Sequence, residues 1–454
     1  MLVQQPKSSL KRLIAGFALG TVMATAGTAA YAGNDPVVFS FATIGDTRQD
    51  PDKPDSTQIV PPNTVGAKLL VQDKIWLQNS KAWGRILRSV QAQKPKMFFI
   101  NGDMIMGYRD AVVPTSWSTT PPSISQVANS DITQLYAQYA FWRGMAANAY
   151  ETGTYVMPVP GNHEVQCKNG ISTNAATCPG GSKKATAANE DAYRANMGDV
   201  IGDLTANQRF SSVVGKAATN VRGLTSGTAP QAVDTVGGTD QSYLTYSFDI
   251  ETNGAILHFA VINTDAKGRD SHAPTTWLTS DFSDAAARGV SASKPVKYFV
   301  FGHKMAFTYN YTTASYVLDS TVVADGLDVD ATSRNAFWSL MAQYNAAYFC
   351  GHEHITAVAQ QPDPTSTNTA NNPWQVIVGS GGSPFDVARL CAGVSGGGAA
   401  TSCPVAPTVV SPYDRYYAWA VVNIRNSGAV ELELYGFSDA YGQTKKLRTI
   451  ATFQ

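Results

Sequence analysis

The chain's 454 residues allow up to three domains of ordinary size or one large catalytic domain, and either can bury a sizeable core. Its 34 Lys plus Arg balance 34 Asp plus Glu, so no global field draws it to nucleic acid or an anionic membrane, and a nonspecific polyanion binder is disfavoured. Only 15% of residues are charged, against about 25% in an average soluble chain, and Ser, Thr, Asn and Gly fill the other polar positions, a mix that suits an exported protein.

Residues 1–32 have the features of an export leader. Lys7, Lys11 and Arg12 give a basic start, Leu13 to Ala24 a short apolar stretch, and Ala30-Tyr31-Ala32 the small-x-small pattern that precedes cleavage, here expected before Gly33. The apolar stretch is shorter than the roughly 20 residues that span a bilayer, and Gly16, Gly20 and Thr21 interrupt it. It therefore reads as a secretory leader, not an anchor, and predicts a secreted or periplasmic protein with no membrane attachment after cleavage. No twin arginine is present, so export of an unfolded chain is the simpler expectation, with any metal loaded outside the cytoplasm.

Further along, short apolar runs end abruptly in Gly and a polar residue. Val37 to Ile44 precedes Gly45-Asp46, Met97 to Ile100 precedes Asn101-Gly102-Asp103, and Tyr155 to Val159 precedes Gly161-Asn162-His163-Glu164. Tyr298 to Phe301 precedes Gly302-His303, and Ala347 to Cys350 precedes Gly351-His352-Glu353-His354. Such runs read as buried strands with polar groups at their ends, and 68–91 and 131–150 between them have helical spacing, which together predict an α/β fold. Residues 165–240, 361–373 and 392–411 are rich in small and polar residues and read as long surface loops, either lids and specificity elements or tolerated insertions. Cys167 with Cys178 and Cys391 with Cys403 are the economical disulfides, leaving Cys350 as a buried thiol without chemistry. Near the end, Tyr416 to Ile424 and Val430 to Phe437 flank Asn426-Ser427-Gly428 and predict a hairpin closing a sheet.

Two carboxylates, one Asn and three His stand at these run ends: Asp46, Asp103, Asn162, His303, His352 and His354. They make a donor set suited to Mn, Fe or Zn, and with His163 the motifs take four of the chain's 6 histidines. In this order the series resembles the calcineurin-like metallophosphoesterases, which include purple acid phosphatases and many phosphodiesterases. Their pattern is Asp-x-His, Gly-Asp, Gly-Asn-His-(Asp/Glu), His and Gly-His-x-His, and all but the first element are matched. The helix beginning Thr276-Trp277-Leu278 and the Gly-rich stretch ending at Gly382 extend the likeness over residues 38 to about 437.

The resemblance implies two packed sheets with helices outside, an α/β/β/α sandwich, in one domain over 33–454 with 165–240 as an insertion. It implies two metal ions bridged by Asp103, the second completed by Asn162, His303 and His352, the first held by Asp46 and His354. His163 would stand just outside, bonding the phosphate or protonating the leaving oxygen. Two ions about 3.5–4 Å apart can clamp a phosphoryl group and lower the pKa of a bridging water. The expected function is hydrolysis of a small-molecule phosphate ester, a monoester slightly ahead of a diester. The alternatives are a phosphodiesterase of the same superfamily, or a non-catalytic extracellular binding protein with a degenerate metal site.

The departure is Arg48, where the resemblance asks for a His ligand. A guanidinium offers no lone pair and stays charged, so it cannot bind a metal. Arg48 is expected either to fork onto a phosphate oxygen or to pair with Asp50, Asp52 or Asp55. Tyr108 follows Asp103 at five residues, whereas purple acid phosphatases place their ligating Tyr at three, so a tyrosinate-iron site is not expected. His258 reads as a core residue, His272 as a rim residue, Asp265 as a support for the site, and Glu164 and Glu353 as groups that orient neighbours or cap helices.

Overall fold

The apolar runs become the strands of two sheets. The computed structural model describes residues 35–48, 80–168, 178, 183–231, 234, 239–310, 315–316, 324–366, 372–383, 416–438 and 441–454. The expected leader, residues 68–79 of the first expected helix, the pair Cys391 and Cys403, and Asp50, Asp52 and Asp55 lie outside them. The account below concerns the unit Val37–Gln454.

The main strands are β1 (Val37–Ile44), β2 (Met97–Asn101), β3 (Tyr155–Val159), β4 (Thr219–Arg222), β5 (Tyr246–Glu251), β6 (Ile256–Val261), β7 (Val296–Phe301), β8 (Ala347–Cys350), β9 (Thr356–Gln360), β10 (Trp374–Val378), β11 (Tyr416–Arg425), β12 (Val430–Ser438) and β13 (Lys445–Ile450). One sheet has the order β13-β12-β11-β1-β2-β3 and the other β9-β10-β8-β7-β6-β5-β4. Within them β1, β2 and β3 are parallel, as are β6, β7, β8 and β10. Parallel strands covered on both faces are uniformly apolar, which explains the unalternating runs. Pro158, which has no N–H to donate, sits on the edge strand β3.

The sheets stack face to face through aromatic rings. Phe41 of β1 lies 5.4, 5.0, 5.7 and 5.8 Å from Phe259, Phe299, Phe301 and Phe349 of the other sheet, and Phe99 stacks on Phe301 at 3.7 Å. Successive side chains point to opposite faces, so each aromatic pair serves two layers. Phe98 turns outward to Trp83 of helix α1 (Lys81–Gln93), which stacks in turn on Trp142 of α2 (Asp131–Glu151). On the second sheet, Tyr298 and Tyr348 turn outward to Phe282 of α5 (Thr275–Ala292) and Phe337 of α6 (Ala331–Gln343). The result is the expected α/β/β/α order of layers.

Helix α2 begins where the spacing predicts, capped by the Ser130 hydroxyl accepting from the Thr133 N–H. The hairpin of β11 and β12 also forms, its turn closed by Gly428 at φ +87°. Cys167 and Cys178 form a disulfide, and Cys350 is a buried free thiol. The expectation of a loop over 165–240 is corrected. Asn162–Val165 is a short helix α3, and the 20-residue helix α4 (Ala187–Ala206) buries Tyr193, Met197, Val200, Ile201 and Leu204. A further turn of helix over Arg209–Val214 then leads into β4. Among the described residues no helix is long and apolar enough to cross a membrane.

Candidate metal centre

Every motif leaves the carboxyl end of a parallel strand, and the carboxyl edges of the two sheets face one another across a seam. That edge is where open α/β sheets bind ligands. Asp46 follows β1 and Asp103 follows β2, with Asn162 and His163 in the turn after β3, while His303 follows β7 and His352 follows β8. Across the seam the His352 N–H donates to Asp46 Oδ2 at 2.9 Å, and His303 Nδ1 lies 2.7 Å from the Asn101 carbonyl.

Close approach explains the glycines. A Cβ on Gly102 would meet His303 Nδ1 at 2.5 Å, and one on Gly351 would meet Asp46 Oδ2 at 2.3 Å. Asp46, Asp103 and His352 themselves take φ of 60°, 53° and 70°. Such left-handed backbone at non-glycine residues costs on the order of 1–3 kcal/mol each and persists where surroundings enforce it.

Four of the expected ligands converge. His303 Nε2 lies 3.1 Å from Asp103 Oδ1 and 3.1 Å from His352 Nδ1, and His352 Nδ1 lies 2.9 Å from Asn162 Oδ1. One oxygen of Asp103 and one ring nitrogen each of His303 and His352 fall within 4.8 Å of one another, forming a group that can hold a metal ion. Because a carbonyl only accepts, the His303 contact to Asn101 fixes the proton on Nδ1 and turns Nε2 into the cluster, the usual way a ligating His is oriented. Tyr108 does the same for Asn162, its hydroxyl accepting from the amide Nδ2 so that Oδ1 faces His352. This donor set, two imidazoles, a carboxylate and an amide oxygen, suits Zn, Mn or Fe.

The ligands expected for a first ion, Asp46 and His354, are arranged differently. Asp46 Oδ1 is buried without a hydrogen-bond partner and lies 3.4 Å from His354 Nε2, yet the space beside them holds Arg48. Its Nη1 is 3.0 Å from His163 Nε2, its Nη2 is 3.1 Å from His354 Nε2, and its Nε donates to Ser383 Oγ at 3.0 Å. The Ser383 hydroxyl donates in turn to the Asp46 carbonyl at 2.7 Å. Its guanidinium is thus buried against the site's own histidines, contacts that the sequence reading did not include.

Charges follow from this packing. Burial opposes a charge on His303, but Asp103 beside it raises its pKa to about 9, while burial and then Arg48 hold His163 well below the ordinary histidine value. His163 Nδ1 faces the Met106 carbonyl and so carries the proton, and Nε2 then accepts from Arg48. In this state Nε2 has no proton to deliver to a leaving oxygen. Burial pushes Asp46 well above the usual carboxylate range, whereas His163 and His303 outweigh burial at Asp103 and hold it well below.

Several supporting residues carried little sequence signal. Glu164 accepts from four backbone N–H groups, those of Gly161, Asp103, Met104 and Ile105, at 2.8–3.1 Å, locking the turns after β2 and β3 together. Burial, then the charge of Asp103, raise its pKa to about 7. Asp265 is buried in an ion pair with Lys304 at 2.8 Å, and the exposed Asp325 reaches His352 Nε2 at 3.5 Å. Tyr108 packs at a tilt against His163 with ring centres 3.9 Å apart, and burial raises its pKa well above the ordinary tyrosine value. His258 is a core residue as expected, and His272 bonds Ser333 Oγ through Nδ1 at 2.7 Å.

No protein-family model matches the chain. A curated glycerol kinase from Ralstonia nicotianae is 30% identical over 116 residues, which cover 24% of this chain and 22% of the kinase. The purple acid phosphatase PPD1 from yellow lupin (Lupinus luteus) seeds is a solved structure similar to this one at 12% identity and a TM-score of 0.45, covering 93% of this chain and 55% of the phosphatase. A dimetal phosphatase from Danio rerio is 10% identical with a TM-score of 0.40, covering 92% of this chain and 100% of its own. PhoD is 11% identical with a TM-score of 0.44, covering 92% of this chain and 73% of its own.

Proposed function

We propose that the protein is an exported, metal-dependent hydrolase acting on a small-molecule phosphate ester, a monoester ahead of a diester. The observation that carries this reading is the convergence of Asp103, His303 and His352 donor atoms within 4.8 Å, with a buried guanidinium beside them. A bound ion supplies Lewis acidity and lowers the pKa of water. The chain's own residues do the rest. Arg48 adds a permanent positive charge next to where a phosphoryl group docks, and Glu164 and Tyr108 hold Asp103 and Asn162 in place. The resemblance asks for two ions, with Asp46 and His354 as ligands of the first.

The test loads the chain from Gly33 in parallel with Mn, Zn and Fe and follows one aryl phosphomonoester and one aryl phosphodiester before and after chelation. Turnover sensitive to chelation is expected, faster on the monoester. Asp103→Asn is expected to lower metal content and turnover together, by at least about 100-fold in kcat/KM if the ion's electrostatic stabilisation is lost. Tight metal binding without turnover on either ester would favour the binding-protein reading, and absence of metal under every loading condition would defeat the proposal.

A further inference from the structure

We infer that the guanidinium of Arg48 stands permanently in the first-ion position, so that the centre is built for one metal ion at Asp103, Asn162, His303 and His352 and a fixed organic cation beside it. This deepens the phosphoesterase reading and rests on its metal centre.

The argument is one of lone pairs and charge. His354 Nε2, the atom a first ion would need, faces Arg48 Nη2 at 3.1 Å, and guanidinium nitrogens only donate. The His354 lone pair is therefore committed to Arg48 and cannot also bind a metal. His163 Nε2 is committed in the same way to Nη1 at 3.0 Å. The residue is 6% exposed and its guanidinium is held on a third side by Ser383, whose own hydroxyl is anchored on the Asp46 backbone, so the guanidinium is positioned from both sheets. Arginine does not lose its charge in proteins. An arriving cation would have to expel the side chain and meet Coulomb repulsion until it left. Among the described residues, the His/Cys/Asp/Glu group able to hold an ion contains Asp103, His303 and His352 but neither Asp46 nor His354.

The substitution is chemically specific. A guanidinium supplies charge and planar N–H donors to a phosphoryl oxygen, but it has no vacant orbital with which to acidify water. The guanidinium supplies one positive charge beside Asp46 and Asp103 where a second divalent ion would supply two, and Lewis acidity is confined to one ion.

Equilibrium dialysis of the whole protein against Mn(II), with elemental analysis and electron paramagnetic resonance, tests the inference without requiring turnover. Wild type is expected to hold one Mn per chain with an isolated-ion spectrum. Arg48→His, which restores a lone pair, and Arg48→Ala, which vacates the position, are expected to admit a second ion and to give a spin-coupled spectrum, with thermal unfolding confirming that each variant is folded. Two ions per wild-type chain, or a coupled wild-type spectrum, would overturn the inference while leaving the phosphoesterase reading intact. A folded Arg48→His and Arg48→Ala that both remain at one ion would overturn the role given to Arg48. No bound ion in wild type would sink both readings.

Discussion

Glu164 shows how much of the site depends on a residue that touches no substrate. Its two oxygens accept from four buried N–H groups that belong to the turns carrying Asp103 and Asn162. Glu164→Gln keeps the shape but replaces one accepting oxygen with a donor, so some of those N–H groups lose their partner at about 1–3 kcal/mol each. The expected result is a lower denaturation midpoint together with weaker Mn binding, read by urea unfolding and metal titration on the same preparation. An unchanged midpoint would show that the clamp is dispensable. The chemistry-bearing residues were legible as an ordered series and not singly, because each ends an apolar run in Gly plus a ligand type and any one such ending is a weak signal. Arg48 was legible only as a departure. Its partners His163, His354 and Ser383 are 115, 306 and 335 residues away in the chain, and no local pattern connects them.

Packing between elements carries its own electrostatics, away from the seam. His258 on β6 bonds Asp249 on β5 at 2.7 Å and Asp281 on α5 at 3.0 Å, tying two strands to the helix that covers them. Arg288 of α5 completes the cluster on Asp249 at 2.7 Å, and Arg222 of β4 reaches Asp281 at 3.4 Å. Burial opposes protonation of His258, but Asp281 and Asp249 override it and raise its pKa to about 9. A raised histidine pKa adds stability that is complete below the unfolded value near 6.5 and is lost as pH rises through 9. At Asp249, His258 and then Arg288 outweigh burial and lower the pKa, so its contribution is present above its ordinary value and is lost as pH falls. The unfolding free energy measured in urea from pH 6 to 9.5 is therefore expected to fall, by on the order of 3 kcal/mol from this residue, and the midpoint with it. His258→Asn should begin lower and show a flatter dependence over that range. A wild-type midpoint independent of pH there would refute the assignment. At this scale the strands and α2 were readable because their apolar runs are dense. Helix α4 was not, since Asn189 and Glu190 are buried in its first turn and Ala, Gly and Thr dilute its apolar stripe. What keeps α4 helical is its packing on β3, where Tyr155 donates to the Val200 carbonyl at 2.7 Å, a tertiary contact that periodicity does not see.

Across the whole molecule, the donors come from both halves of the sandwich. Asp103 and Asn162 belong to the sheet of β2 and β3, His303 and His352 to that of β7 and β8. An ion at this centre must therefore bind the folded pair of sheets far better than the unfolded chain. Ligand linkage then predicts stabilisation of about 2.7 kcal/mol at a metal concentration 100 times the Kd. Thermal unfolding with and without Mn is expected to show a rise in Tm that grows with concentration and disappears in Asp103→Asn. A Tm insensitive to Mn would place the ion elsewhere or nowhere. That the two sheets would stack was suggested by resemblance and not by spacing, because which faces meet depends on the side on which Phe41, Phe99, Phe259 and Phe301 emerge, and a continuous apolar run does not reveal it.

The anchoring of Arg48 on His354 and Ser383 has a consequence for the life of the protein before any ion arrives. It is a rivet supplied by the chain itself, since the guanidinium joins the turn after β1 to groups carried by the opposite sheet. A newly folded molecule thus has one of its two fastenings in place from the start and waits only for the other. Holding the mouth of the sandwich in register while it is still metal-free lets the remaining four donors meet an incoming ion already assembled, so loading becomes an act of capture and not of folding.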